Sequence, residues 1–211
     1  MTVTNPRRKK QIMEFIDKDH DVMSEYYELM ERDMSAEKLL KEMKRLIAED
    51  NDFYDPYLVV ADILFRTGKT DQANEILKEA YERAMRRIVD AEGRWPKEMP
   101  WGWMENRHIM RAIERYAFLC WEKGDLDEAL LIFGHFLRVN PNDNQGVRNY
   151  ILAIRMGLDI EKWEKQFLAD NPVQAGALDA IKLHDWFKNN AIKFPDDFDW
   201  LLKRWEKEGL I

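Results

Sequence analysis

The residues with spacing suited to chemistry are few. Asp17, Asp19 and Asp21 alternate, and Glu28 stands twelfth from Asp17, which is the oxygen-ligand spacing of a helix-loop-helix calcium site. Val22 occupies the sixth place, where such a loop turns sharply on Gly, and no second copy follows. The competing reading of the same residues is a solvated acidic helix face or helix junction. His20, His108, His135 and His184 are scattered, with neither an HExxH pair nor a Gly-rich phosphate loop. Nothing therefore marks a catalytic centre, a resident metal or a cofactor, and the expectation is a protein that is not an enzyme. Cys120 falls at a core position of a helix and reads as apolar filling. A second polar constellation comprises Glu105, Asn106 and Arg107, with Asn142, Asp143, Asn144 and Arg148 further along. Each segment stands at the start of a helix. The side chains suit N-caps and charge-assisted hydrogen bonds, giving either a brace between neighbouring hairpins or a small polar binding site.

Helical spacing runs through nearly the whole chain. The clearest case is Ile113–Pro141: Ile113, Tyr116, Ala117, Cys120 and Trp121 share one stripe, Gly124 interrupts, and Ala129, Leu130, Phe133, Phe136 and Leu137 resume it. Gly124 suits a left-handed helix end, and Asp125 with Glu128 reads as a capping box. Tyr57, Val60, Ala61, Leu64, Gly68, Ala73, Leu77 and Ala80 repeat the pattern. Both stretches resemble a tetratricopeptide repeat, in which paired antiparallel helices alternate small and large positions. Gly68 and Gly124 are 56 residues apart, roughly 22 more than the period of about 34. The excess holds a prolonged second helix, to about Ala91, and the loop containing Trp95, Trp101 and Trp103. Those tryptophans either clamp the loop onto the repeats or form an exposed aromatic surface.

The expected organisation is one all-α domain over 1–211, a right-handed superhelix of tetratricopeptide-like hairpins with capping helices at both ends. Helices fill 7–50, beginning with an amphipathic helix from Arg7 to about Arg32 that is interrupted near His20. The first clear repeat spans 53–91, the aromatic loop 92–104, the second repeat 105–141, a degenerate third 142–172 and C-terminal capping helices 173–211. About residues 100–148 also resemble the suppressor of tumorigenicity seven family and its bacterial tetratricopeptide relatives. The likeness rests on the Glu105-Asn106-Arg107 segment and on Asn140–Arg148, with His108 replacing the family's Pro. It implies a shared helical-repeat core and no particular reaction.

In a repeat of this type the first helices line a groove. The pattern places Leu58, Asp62, Phe65, Arg66, Glu114, Phe118, Trp121, Arg148, Leu152 and Arg155 there, a mixture of aromatics and charges suited to an extended or helical peptide. Leu58 and Asp62 replace the residues of a two-carboxylate clamp. Packing of the C-terminal helix, through Trp200 and Trp205, would fill the same groove from within. The leading expectation is a scaffold for a protein or peptide partner. The others are a small-ligand site or enzyme at the polar helix starts, and self-association through Trp-rich ends into a homo-oligomer. Net charge is −7, with 45% hydrophobic residues, so the global field repels nucleic acid and anionic membrane. A single Cys excludes a disulfide framework. Arg7-Arg8-Lys9-Lys10 is followed by no signal-type apolar run, and no membrane-length apolar stretch occurs, which favours the cytoplasm.

Overall fold

The structure is a computed structural model that describes residues 11–168 and 177–209. Among these the chain is all-helical, with ten α-helices and two isolated β-bridges. None of the helices is long and apolar enough to cross a membrane. Arg7 to Lys10, Pro172 and the start of the expected helix after Val173 lie outside the described residues. Two compact units divide the chain, 1–116 and 117–211.

In the first unit α1 (Val22–Glu31) and α2 (Ala36–Glu49) form a hairpin, Ser35 capping α2 by accepting from the Lys38 N–H. Of the helix expected from Arg7 to about Arg32, the described residues are helical from Val22. Residues 11–20 instead run without helix beside the aromatic loop, with Lys97 N–H to Ile12, Glu98 N–H to Met13 and Phe15 N–H to Glu98 bonds at 2.9–3.0 Å. Their backbone groups are satisfied by the loop, so no helical ladder is needed there. Next come α3 (Asp55–Arg66) and α4 (Thr70–Ile88), joined at Gly68 with φ 73°. That left-handed angle ends α3 at little cost only for Gly. Ala61, Ala73 and Ala80, all fully buried, let the two helices approach, while Leu64, Leu77 and Ile88 fill the seam. α4 carries five turns and stops at Ile88, three residues short of the expected Ala91. Stacking of Tyr81 on Tyr116 at 4.2 Å uses its extra length.

Pro100 and the turn after it lead into α5 (Met104–Glu122), whose residues to Tyr116 belong to the first unit and from Ala117 to the second. In the second unit Gly124, at φ 79°, is followed by Asp125 capping α6 (Leu126–Val139) through the Glu128 N–H. α7 (Val147–Arg155) and α8 (Ile160–Phe167) make a shorter hairpin, and α9 (Ala180–Asn190), a 3₁₀ turn and α10 (Pro195–Glu208) close the chain. Asp196 and Asp197 lie in the first turn of α10 behind Pro195, where the helix dipole favours acidic side chains. A connected series of rings, Trp121, Phe118, Phe133, Tyr150, Trp163 and Phe167, runs through this unit.

Candidate functional site

The most unusual chemistry of the first unit is a buried knot around Asp17. Its side chain is 1% exposed, as are those of His20 and His108. Asp17 Oδ2 lies 3.0 Å from Nε2 of both histidines, and Oδ1 accepts from Arg87 at 2.5 Å. His20 Nδ1 meets Asp50 Oδ2 at 2.6 Å. The backbone N–H of Asp17 donates to Asn106 Oδ1, while Asn106 Nδ2 donates to the carbonyls of Phe15 and Pro100. Asn106 therefore stitches the N-terminal segment and the aromatic loop to the start of α5. Phe53 packs against both imidazoles, 5.6 Å from His20 and 5.0 Å from His108.

Protonation follows from the partners. Burial alone would push the His20 imidazole down, but carboxylates on both of its nitrogens outweigh it and hold the ring above its ordinary value. With a carboxylate oxygen facing each ring nitrogen, the protonated form is the one that donates to both Asp17 and Asp50. His108 is lowered, chiefly by burial, and its Nδ1 accepts from the Tyr54 backbone N–H at 3.1 Å. That bond leaves the proton of the neutral ring on Nε2, pointing at Asp17. Burial would push the Asp17 carboxyl up, yet His108, His20 and Arg87 together hold it well below the usual carboxylate range.

Asp17, His20 and His108 bring one ligand atom each within 4.8 Å of one another, so a cation site has to be considered. The donor set does not fit one. A metal at His108 Nε2 needs a lone pair on the atom that the Tyr54 N–H forces to carry hydrogen, and Arg87 already occupies the other oxygen of Asp17. Calcium at Asp17, Asp19, Asp21 and Glu28 is also not assembled. Asp17 is turned inward to the histidines, Asp19 and Asp21 are exposed, and Glu28 pairs with Arg32 at 3.3 Å on an exposed face of α1. The knot is a charge-balanced clasp that fixes the segment before α1 against α2, α4 and α5.

The polar constellation expected at the helix starts resolves into two separate sets, each bonded within its own unit. Asn106 belongs to the clasp. Arg107 donates to the Trp101 carbonyl at 3.0 Å and its guanidinium lies 5.3 Å from the Trp101 ring. Glu105 is half-buried at the start of α5. Arg148 finds its partners within the second unit. Its Nη1 donates to Asp143 Oδ2 at 2.6 Å, and its guanidinium lies between the rings of Phe187 and Trp205 at 5.5 and 5.2 Å. Asp143, with a side chain 0% exposed, also accepts from the Val147 N–H at 2.6 Å and the Arg148 N–H at 3.3 Å, so it caps α7. Its φ of 48° is the left-handed region, which Asp tolerates better than most residues. Burial pushes the Asp143 carboxyl up, against the pull of Arg148 and the two N–H donors.

Around this cap an open cleft of about 550 Å³ is lined by Asn142, Asn144, Arg148, His184, Trp205 and Glu208. Asn142 and Asn144 are exposed and Trp205 forms a largely buried wall. Arg204 spans one side, donating to Glu208 at 2.8 Å and to Asn142 at 3.3 Å. The cations of the rim are therefore matched by Asp143 and Glu208, leaving a neutral surface rich in side-chain amides.

The groove positions fare unevenly. Leu58 and Phe65 are half-buried and Asp62 and Arg66 exposed in the first unit, where Asp62 pairs with Arg115 at 2.9 Å; Glu114 is half-buried. In the second unit Phe118 is half-buried in the ring series, Trp121 and Leu152 are buried, and Trp121 Nε1 donates to the Leu158 carbonyl. Arg155 is taken by Asp197 of α10 through two bonds at 2.7 and 3.0 Å. Trp200 lies under Arg138 at 5.1 Å, and Trp205 against Phe187. Of the loop tryptophans, Trp101 is covered by Arg107 and Arg111, while Trp103 donates to Glu14 yet stays 46% exposed.

The clasp was not legible from spacing, because 91 residues separate Asp17 from His108. Its local trace is the pairing of Asp17 with His20 three residues on. His184, Trp205 and Glu208 likewise gave no signal as cleft residues, being on helices that read as caps. Comparison with family models, with curated proteins and with solved structures returns no match, so the functional reading rests on this geometry.

Proposed function

We propose that the chain is a non-enzymatic helical-repeat scaffold of tetratricopeptide type, working in the cytoplasm, whose cleft in the second unit takes a polypeptide segment. The observation that carries this reading is the composition of the cleft. Two exposed Asn side chains, Asn142 and Asn144, face a volume of about 550 Å³ beside the indole of Trp205, within the range of sites that enclose small ligands. Amide side chains both donate and accept, matching the alternating N–H and C=O groups of an extended backbone, and an indole offers apolar area for a side chain. Because Arg148 and Arg204 already face Asp143, Glu208 and Asn142, the rim favours a neutral polar backbone over a strongly charged group.

The groove supports the reading less well. Phe118, Trp121 and Leu152 serve the interior of the second unit, and Arg155 is held by Asp197, so these side chains would have to be released before a partner could use them. Selection of peptides by display on the immobilised full chain tests the proposal. Selected peptides should bind saturably, and Asn144→Arg, an exposed change, should weaken them at least tenfold with an unaltered melting temperature. Equal binding by Asn144→Arg and by the parent chain would remove the cleft as the site.

A further inference from the structure

We propose a second site, in the first unit and independent of the cleft above: a pocket for a phosphomonoester group formed by α4 and the turn before α3. Arg83, Arg86 and Arg87 recur at helical spacing on one face of α4 and, with Asp52, line an open cleft of about 360 Å³. Their N–H groups are only partly used. Arg83 gives Nε to Glu79 at 2.9 Å, which leaves both terminal amino groups. Arg86 has Glu82 as its nearest carboxylate at 4.0 Å, beyond hydrogen-bond range. Arg87 spends Nε and Nη2 on Asp17, while its Nη1 stands 3.7 Å from Asp52.

Geometry selects the ligand class. Asp17, Glu79 and Glu82 already stand against the three guanidinium groups, so the match is made by N–H groups left over on Arg83 and Arg86 and not by a surplus of charge. A phosphomonoester, at about −1.5 to −2 and with three acceptor oxygens, is the group that uses such donors best. Planar guanidinium forks converging from successive turns suit the oxygens of a tetrahedral anion. Glu79 and Glu82 reduce the long-range field, so recognition depends on the free N–H groups at close range and is salt-sensitive. Asp52 opposes the anion unless the ligand brings an N–H or O–H to it, as the ammonium group of O-phosphoserine can.

The full chain titrated calorimetrically at low ionic strength, with inorganic phosphate, O-phosphoserine and serine, tests the site. Phosphate and O-phosphoserine should bind saturably at one site per chain, and serine not at all. O-phosphoserine binding more tightly than phosphate supports use of its amine by Asp52; equal affinities support recognition of the phosphate alone. Arg83→Gln with Arg86→Gln should weaken binding at least tenfold, and Asp52→Asn should tighten inorganic phosphate severalfold. Those two arginines are clear of the Asp17 clasp, so the fold should persist, and Asp52→Asn gives an independent readout. The absence of saturable phosphate binding, or unchanged affinity in both variants, overturns the site.

Discussion

At the scale of single residues, the clasp around Asp17 sets a pH dependence whose sign can be worked out. An unfolded His titrates near about 6.5 and an unfolded Asp near about 3.9. His20 is raised in the fold, so its stabilisation is complete below about 6.5 and is lost as pH rises through the folded value. His108 is lowered, so its contribution is present above about 6.5 and is lost as pH falls. His135, lowered by burial and Arg138, acts in the same sense as His108. Asp17 and Asp50, both lowered, add a further loss on acidification from about 3.9 downwards. Urea midpoints from pH 4 to 9 should therefore peak near about 6.5. His20→Gln should flatten the alkaline side and His108→Gln should shallow the acid side without abolishing it. An alkaline slope unchanged in His20→Gln would remove the imidazolium assignment. Asp17→Ala leaves Arg87 and His20 without their buried partner and should cost about 3–5 kcal/mol.

At the scale of elements, α7 shows how one side chain can do two structural tasks. Asp143 caps the helix through the Val147 and Arg148 N–H groups and neutralises Arg148. Loss of a cap alone costs about 1 kcal/mol, but Asp143→Ala also strands a guanidinium packed between Phe187 and Trp205, so a loss of about 3 kcal/mol in denaturant is expected. Asp143→Asn keeps an acceptor and tolerates the left-handed φ, and should cost less. Arg148→Ala should lower the melting temperature clearly, since it leaves Asp143 buried without its cation. An unaltered melt would mean that Arg148 braces nothing. α4 carries a comparable double duty: its inner face is Ala73, Leu77, Ala80, Ala84 and Ile88, while its last turns present Arg83, Arg86 and Arg87 to the cleft and the clasp.

At the scale of the whole molecule, the net charge of −7 governs encounters before any site is reached. Nucleic acid should be repelled, and single-stranded RNA added at physiological salt should leave the sedimentation of the chain unchanged. A complex that dissolves as salt is raised would show that the arginine face of α4 outweighs the global field. Eight tryptophans in 211 residues are mostly spent on packing: Trp121, Trp163 and Trp205 are buried, and Trp101 lies beneath two guanidinium groups.

Sequence alone determined the helical class, the positions of the Gly68 and Gly124 turns, the Asp125 cap and the acidic first turn of α10. These are local: a helix face, a left-handed Gly and a cap all act within a few residues, so spacing carries them. It failed at residues 11–20, where a helical periodicity is overridden because the backbone finds partners at Glu98 and Asn106. Tertiary structure alone decided which polar groups meet. Asp17 faces His108 instead of forming a calcium loop, the Arg148 guanidinium lies between Phe187 and Trp205, and Trp205 walls a cleft. Such pairings depend on burial and on contacts across tens of residues, where a buried charge is stable only beside its counter-charge, and no periodicity in the chain records which counter-charge that will be.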